Sequence, residues 1–228
     1  MTDPTETDHR TAEAAYMAGE HARAAAIWTR LAEAGDATAE AWLGTLYSNG
    51  EGVERDDAAA LAWLRRAAEQ GVVTAQANLG AFLYLGRGAE SDPAEAARWL
   101  DRAAEAGDVH ALFNLAVLCL KGEGVPASPE RAAELYRRAA ERGHHPSQAR
   151  LGYLYSAGQG VEKDRVQAYL WLTLAAQHGV GTAFEALDGV VRAMSADEKA
   201  EGMRLFEQAM HSGVGRQPVT AQVVPVPA

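Results

Sequence analysis

Cysteine occurs once, at Cys119, so the chain can close no disulfide on itself and has no cysteine cluster with which to grip a metal. Positive charge is also in short supply. The 21 lysines and arginines face 31 aspartates and glutamates, a formal charge of -10, whereas a nucleic acid or an anionic membrane surface needs a basic stripe to meet it. No apolar run approaches the roughly 18 residues of a membrane span, and the opening MTDPTETDHR lacks the apolar stretch of a secretory signal. The expectation is a soluble protein of a reducing cytoplasm, with no nucleic-acid or membrane partner.

What the sequence has is a pattern that returns every 36 residues without insertion or deletion, beginning at Ala39, Ala75, Ala111 and Ser147. Leu43, Leu79, Leu115 and Leu151 share one column, and Gly44, Gly80, Ala116 and Gly152 share the next, where a very small residue admits a neighbouring helix. Paired glycines follow: Gly50 with Gly52, Gly86 with Gly88, Gly122 with Gly124, Gly158 with Gly160. They give the backbone the freedom to end a first helix. Asp56, Asp92, Ser128 and Asp164 then stand where a second helix needs an acceptor for its free amides, with Pro93 and Pro129 just inside it. In that second helix Ala60, Trp63 and Ala67/Ala68, with their equivalents, form one apolar stripe before Gly71, Gly107, Gly143 and Gly179. One helix pair cannot bury its own apolar faces, so the pairs must stack into one continuous elongated array.

The flanks follow from the same frame. Residues 1–10 read as disordered, and 11–38 as an N-terminal capping helix pair whose second half keeps the register through Ile27, Leu31, Ala32 and Gly35. Residues 183–212 read as C-terminal capping helices, the last opened by the capping-box spacing Ser195 to Glu198. They are also the nearest candidates to cover the second helix of the fourth repeat, Tyr169 to Leu174, which lacks the arginines of its counterparts. From 213 to 228 three prolines and no helical period read as a flexible tail.

Catalytic chemistry finds little footing. No strand precedes the glycine pairs and no Lys-Ser/Thr follows them, so they are loops rather than phosphate cradles. Cys119 occupies an aromatic core column, and His144 and His145 are neighbours that point apart in a loop, so no metal site is expected. The carboxylates are spaced as surface partners of arginine, as Glu69 is to Arg65 and Arg66, and no cofactor is implied.

The consensus A-x-x-x-L-G-x-L-Y-x-x-G-x-G-V-x-x-D-x-x-x-A-x-x-W-x-x-x-A-A-x-x-G resembles the Sel-one-like repeat, a variant of the tetratricopeptide repeat with a longer inter-helix loop. It spans 39–182 as four copies, 39–74, 75–110, 111–146 and 147–182, with local departures at Ala116, Leu83, Cys119, Ala89 and Leu135. The resemblance implies an all-α fold, a right-handed α-solenoid whose first helices line a concave face, and a non-enzymatic scaffold or adaptor. Its partner would be a protein or peptide, bound by a monomer. Carried onto this sequence, the variable positions of that face place an apolar patch at Tyr84, Phe113, Val117, Leu120 and Tyr153, flanked by Thr45, Ser48 and Asn49. Two alternatives remain open at this point: a self-associating structural or regulatory subunit, and a β-lactam-binding or hydrolysing enzyme like the cysteine-rich relatives, whose paired cysteines are missing here.

Overall fold

The computed structural model describes residues 4–214, and the tail expected over 213–228 lies outside them from 215 onward. Among the described residues there are twelve helices and no strand. The fold is all-α, an α-solenoid. The helices group into two compact units, one ending at Ala106 and one starting at Gly107. The sequence frame anticipated one continuous array. In a repeat protein each element touches only its neighbours, so contact density falls at every repeat boundary and a division can fall on one of them.

The N-terminal unit comprises α1 (Pro4–Met17), α2 (His21–Glu33), α3 (Ala37–Asn49), α4 (Asp57–Glu69), α5 (Val73–Leu85) and α6 (Pro93–Glu105). Helix α1 starts seven residues before the expected Thr11, so residues 4–10 are helical rather than disordered. Glu6 lies in its first turn, where the helix dipole favours an acid. Two side chains then fasten this turn to the fold: Asp8 accepts from Arg30 at 2.8 Å and His9 pairs with Asp36 at 3.0 Å. Behind them Trp28 stacks on Trp42 at 4.4 Å between ring centres, with Tyr16 tilted against both. That aromatic group anchors the core cluster running from Ala12 to Leu46.

The C-terminal unit comprises α7 (Val109–Lys121), α8 (Pro129–Glu141), α9 (His145–Ala157), α10 (Arg165–Gln177), α11 (Gly181–Ala193) and α12 (Ala196–Ser212). The capping residues expected for the second helices act as such in both units. Asp56, Asp92, Ser128 and Asp164 each accept a hydrogen bond from an amide of the first helical turn, and Pro93 and Pro129 open their helices. Ser195 and Glu198 close a reciprocal capping box at the start of α12. Helix α11 keeps the register of a fifth first helix, but α12 starts after a two-residue link and packs on α10 instead of on α11. The stretch Tyr169 to Leu174 of α10, which lacks the arginines of its counterparts, is covered in this way, with Gly202 of α12 seated on the Tyr169 ring.

Close approach decides the columns of small residues. A Cβ on Gly44, Gly80 or Gly152 would come within 2.6 Å of Cγ of Leu64, Leu100 or Leu172 in the second helix of the same repeat. In three of the loops the second glycine has a further task. Gly52 and Gly88 have φ of 73° and 77° and lie against the backbone that opens the preceding second helix, at His21/Ala22 and Asp57/Ala58. In the C-terminal unit Gly160 does the same against Pro129 and Glu130.

One buried charge fixes the first repeat. Glu40 is 0% exposed, accepts from Gln70 Nε2 at 2.7 Å and lies 2.6 Å from an Arg66 nitrogen. The equivalent positions of the second and fourth repeats hold Gln76 and Gln148, whose amides donate to Ala68 O and Ala140 O at the end of the preceding helix, both at 3.2 Å, and that of the third holds Leu112. Arg66→Ala leaves the Glu40 charge buried with one neutral donor, and the loss of unfolding free energy is expected to be about 2–3 kcal/mol, well above that of an exposed ion pair. In a Glu40→Gln background the same change should cost under about 1 kcal/mol, because the amide can follow the other two repeats. A double-mutant cycle by urea denaturation measures the difference; equal losses in both backgrounds would show that Arg66 acts through its stacking on Trp63.

Candidate interaction surface

The expected partner-binding residues fall into three settings. In the N-terminal unit Thr45 is half-buried and donates to Ala41 O at 3.2 Å, and Asn49 is exposed at the end of α3. Ser48 is buried, receiving Arg87 on its hydroxyl at 3.3 Å, and Tyr84 is half-buried. In the C-terminal unit Leu120 is half-buried, and Tyr153 is 37% exposed with its hydroxyl donating to Thr182 O at 3.0 Å.

Phe113 and Val117 correct the expectation. They are 8% and 2% exposed, and Phe113 packs on the Tyr136 and His144 rings at 5.5 and 5.2 Å. Both belong to the core, as does Ser48, so the five-residue apolar patch is not a surface. The reason lies in the helices that carry them. From Ala75 to Leu83 in α5 and from Ala111 to Cys119 in α7, nine consecutive residues are buried, and a helix buried around its whole circumference has no open face. Part of the signal was available in the sequence, since neither helix carries a charged residue before its last position, whereas α9 has the exposed Arg150. Surface is therefore left to the first helices α3 and α9, at Ala41, Thr45 and Asn49 in one unit and at Arg150, Tyr153, Ser156 and Ala157 in the other.

Sequence reasoning passed over two groups that the fold assembles. Arg87 places its guanidinium 4.1 Å from the Phe82 ring centre and reaches both oxygens of Asp57, at 2.6 and 3.1 Å, which holds the Asp57 carboxyl below its ordinary range. In the C-terminal unit His144 lies between the His110 ring and Phe113, while His145 stacks on His178 at 3.7 Å. His144 is 6% exposed, and its Nδ1 is 2.7 Å from Ser147 Oγ. Burial, reinforced by His110 and His145, lowers its pKa from 6.5 to about 3. No group of three or more His, Cys, Asp or Glu able to hold a metal occurs among the described residues.

The histidine pair gives a signed pH dependence. Between pH 6.5 and about 3 the unfolded chain binds a proton at residue 144 that the folded chain refuses, so stability is complete above 6.5 and falls as pH drops. The wild type should lose up to about 1.4 kcal/mol per pH unit more than His144→Asn across pH 6 to 4. Parallel curves for the two proteins in urea titrations at each pH would remove the histidine as the cause.

Stacked helix pairs of fixed length, joined by capped loops, define the tetratricopeptide-like class of helical repeat proteins. Within that class the chain belongs to the Sel1 repeat family, whose model matches residues 37–72, 73–108, 109–144 and 145–180. The period is that of the sequence frame with its origin two residues earlier, where the helices start. The structure is similar to that of c5321, a protective antigen of uropathogenic Escherichia coli with an SLR fold, at 32% identity and a TM-score of 0.79, covering 90% of this chain and 45% of that one. It is also similar to a Sel1 repeat protein from Oxalobacter formigenes, at 35% identity and a TM-score of 0.67 over 75% of this chain and 49% of that one. The chain thus spans about half the length of these two relatives. The immunity protein Pa5087 from Pseudomonas aeruginosa shares the fold, at 23% identity and a TM-score of 0.52 over 100% of this chain and 90% of that one. No curated protein matches the chain. Among the described residues no helix is long and apolar enough to cross a membrane.

Proposed function

We propose that the protein is a non-enzymatic interaction scaffold of the cytoplasm that holds a partner protein or peptide on the exposed positions of its first helices. One observation carries the reading. The framework column Leu43, Leu79, Leu115 and Leu151 is identical and fully buried in all four repeats, while the accessible positions two residues later differ, a half-buried Thr45 in the first repeat and a 37% exposed Tyr153 in the fourth. A fixed frame with freely varied side chains is what recognition of a particular partner requires, and a rigid frame loses little entropy when that partner docks. Membership of the Sel1 repeat family supports the same reading. The sealed helices α5 and α7 confine contact to α3 and α9, with Thr45 and Asn49 on the first and Tyr153 and Ser156 on the second.

A photoreactive amino acid placed at Asn49 or Tyr153 in the native host tests this. Discrete covalent adducts to one host protein are expected from these sites and not from Glu141 on α8. Adducts from Glu141 alone would move the surface to the second helices, and their absence at every site would overturn the scaffold reading.

A further inference from the structure

An open cleft of about 600 Å³ in the C-terminal unit lies where the α9–α10 loop meets α8 and α12. Its cations are Arg137 of α8, Lys163 of the loop and Arg165 at the start of α10. The same repeat positions in the N-terminal unit are internally neutralised. There Arg65, the counterpart of Arg137, grips both oxygens of Glu95 thirty residues on, and Arg55, the counterpart of Lys163, pairs with Asp57 at 3.3 Å. In the C-terminal unit both acids are gone. The counterpart of Glu95 is Gln167, a neutral amide, and the counterpart of Asp57 is Arg165, a charge of opposite sign.

The cleft has carboxylates of its own, and they are spoken for or peripheral. Asp164 caps α10 by accepting from the amides of Val166 and Gln167 at 2.8 and 3.0 Å. Glu198 accepts from the Ser195 amide at 2.7 Å and lies 3.4 Å from Arg165. Glu162 is exposed in the loop. Arg137 is held by the Tyr155 hydroxyl at 3.1 Å on one nitrogen and by Glu134 of its own helix on another, which aims the guanidinium without supplying the cross-repeat acid that Arg65 has.

We infer that this cleft takes a carboxylate presented by an acidic segment of a partner polypeptide, seated on Arg137 with Lys163 and Arg165 beside it. An arginine fork is matched to a planar carboxylate, and a partly desolvated one gains more from it than an exposed one. A free small acid fits less well. The cleft is open and its walls are more polar than apolar, with Val161 and the Tyr155 ring among its apolar parts, whereas small-molecule sites are mostly enclosed and apolar. An extended segment brings several carboxylates at once and can follow the loop. The inference does not depend on the first-helix surface proposed above.

The test uses the full chain labelled with nitrogen-15 and titrated with a blocked tetraglutamate peptide, with blocked tetraglutamine, sodium glutarate and inorganic phosphate as comparators. Amide signals from Val161 to Val166 should shift and saturate with a midpoint near or below about 1 mM, and weaken at high salt. Arg137→Gln should weaken binding at least tenfold. Gln167→Glu should do so as well, because it restores the internal acid of the Arg65–Glu95 pair, and it should keep or raise Tm by completing a capping box with Asp164. Binding unaffected by both substitutions, or no saturable shift up to about 10 mM, overturns the inference. An equal response to glutarate or phosphate overturns its polypeptide form. Cross-linking through Asn49 and Tyr153 should be untouched by Gln167→Glu, so the two readings fail separately.

Discussion

Replacing Gly88 by alanine should cost about 4 kcal/mol or more of unfolding free energy, whereas Gly86→Asn, two residues earlier in the same loop, should cost about 1 kcal/mol or less. Both glycines have positive φ, 77° and 67°, so the left-handed backbone alone does not separate them. That conformation accounts for roughly 1–2 kcal/mol with an ordinary side chain and for less with asparagine. The difference lies in the surroundings. A Cβ on Gly86 meets nothing closer than 3.4 Å, but one on Gly88 would lie 2.2 Å from Asp57 O, part of the backbone that opens α4. A side chain can swing away, whereas the first turn of a capped helix can yield only by shifting the junction between two repeats. Urea denaturation of the full chain measures both losses. A cost for Gly88→Ala no larger than that for Gly86→Asn would mean that the junction slides freely, and the rigid frame would lose its main support.

The second large effect has an unexpected sign. In an exposed helix Gly→Ala stabilises by about 1 kcal/mol, because the backbone of glycine loses more freedom on folding. At Gly80 the same change should destabilise by about 1–3 kcal/mol, since the new methyl would overlap Leu100 Cγ at 2.6 Å in a tightly packed core. The third repeat shows how the conflict is relieved. Where it carries Ala116 in place of the glycine, the facing leucine becomes Tyr136, a flat ring that is 1% exposed. Adding Leu100→Tyr to Gly80→Ala should therefore recover at least half of the loss, a coupling readable from Tm and urea midpoints. If the loss in the double substitution equals or exceeds the sum of the singles, the tyrosine does not relieve the added methyl and answers to something else.

This coupling illustrates which parts of the molecule the sequence made legible. Caps, prolines and loop glycines act within a few residues of where they stand, so Asp56, Asp92, Ser128, Asp164 and the Ser195–Glu198 box were readable from spacing alone. Contacts between repeats were not, because they join residues about thirty apart: Arg65 to Glu95, Arg87 to Asp57, Gly88 to the start of α4. Phe113 and Val117 were read correctly as apolar and wrongly as open. In a stacked array the same side chain can line a groove or fill a core, and only neighbouring helices decide which. The helical start at Pro4 was missed because the tethers that hold it, Arg30 on Asp8 and Asp36 on His9, come from α2 and the end of its following turn.

Helix α12, lying along α10 with Gly202 on the Tyr169 ring, occupies a flank that a further helix pair would have to reach. An added 36-residue module fused behind α11 would first have to evict it. The array should accept new modules far more readily when they are spliced within a unit, where Gly88 and Gly160 seat on the capped starts of α4 and α8. Duplication from within, rather than growth at this end, is then the route by which such a protein gains length.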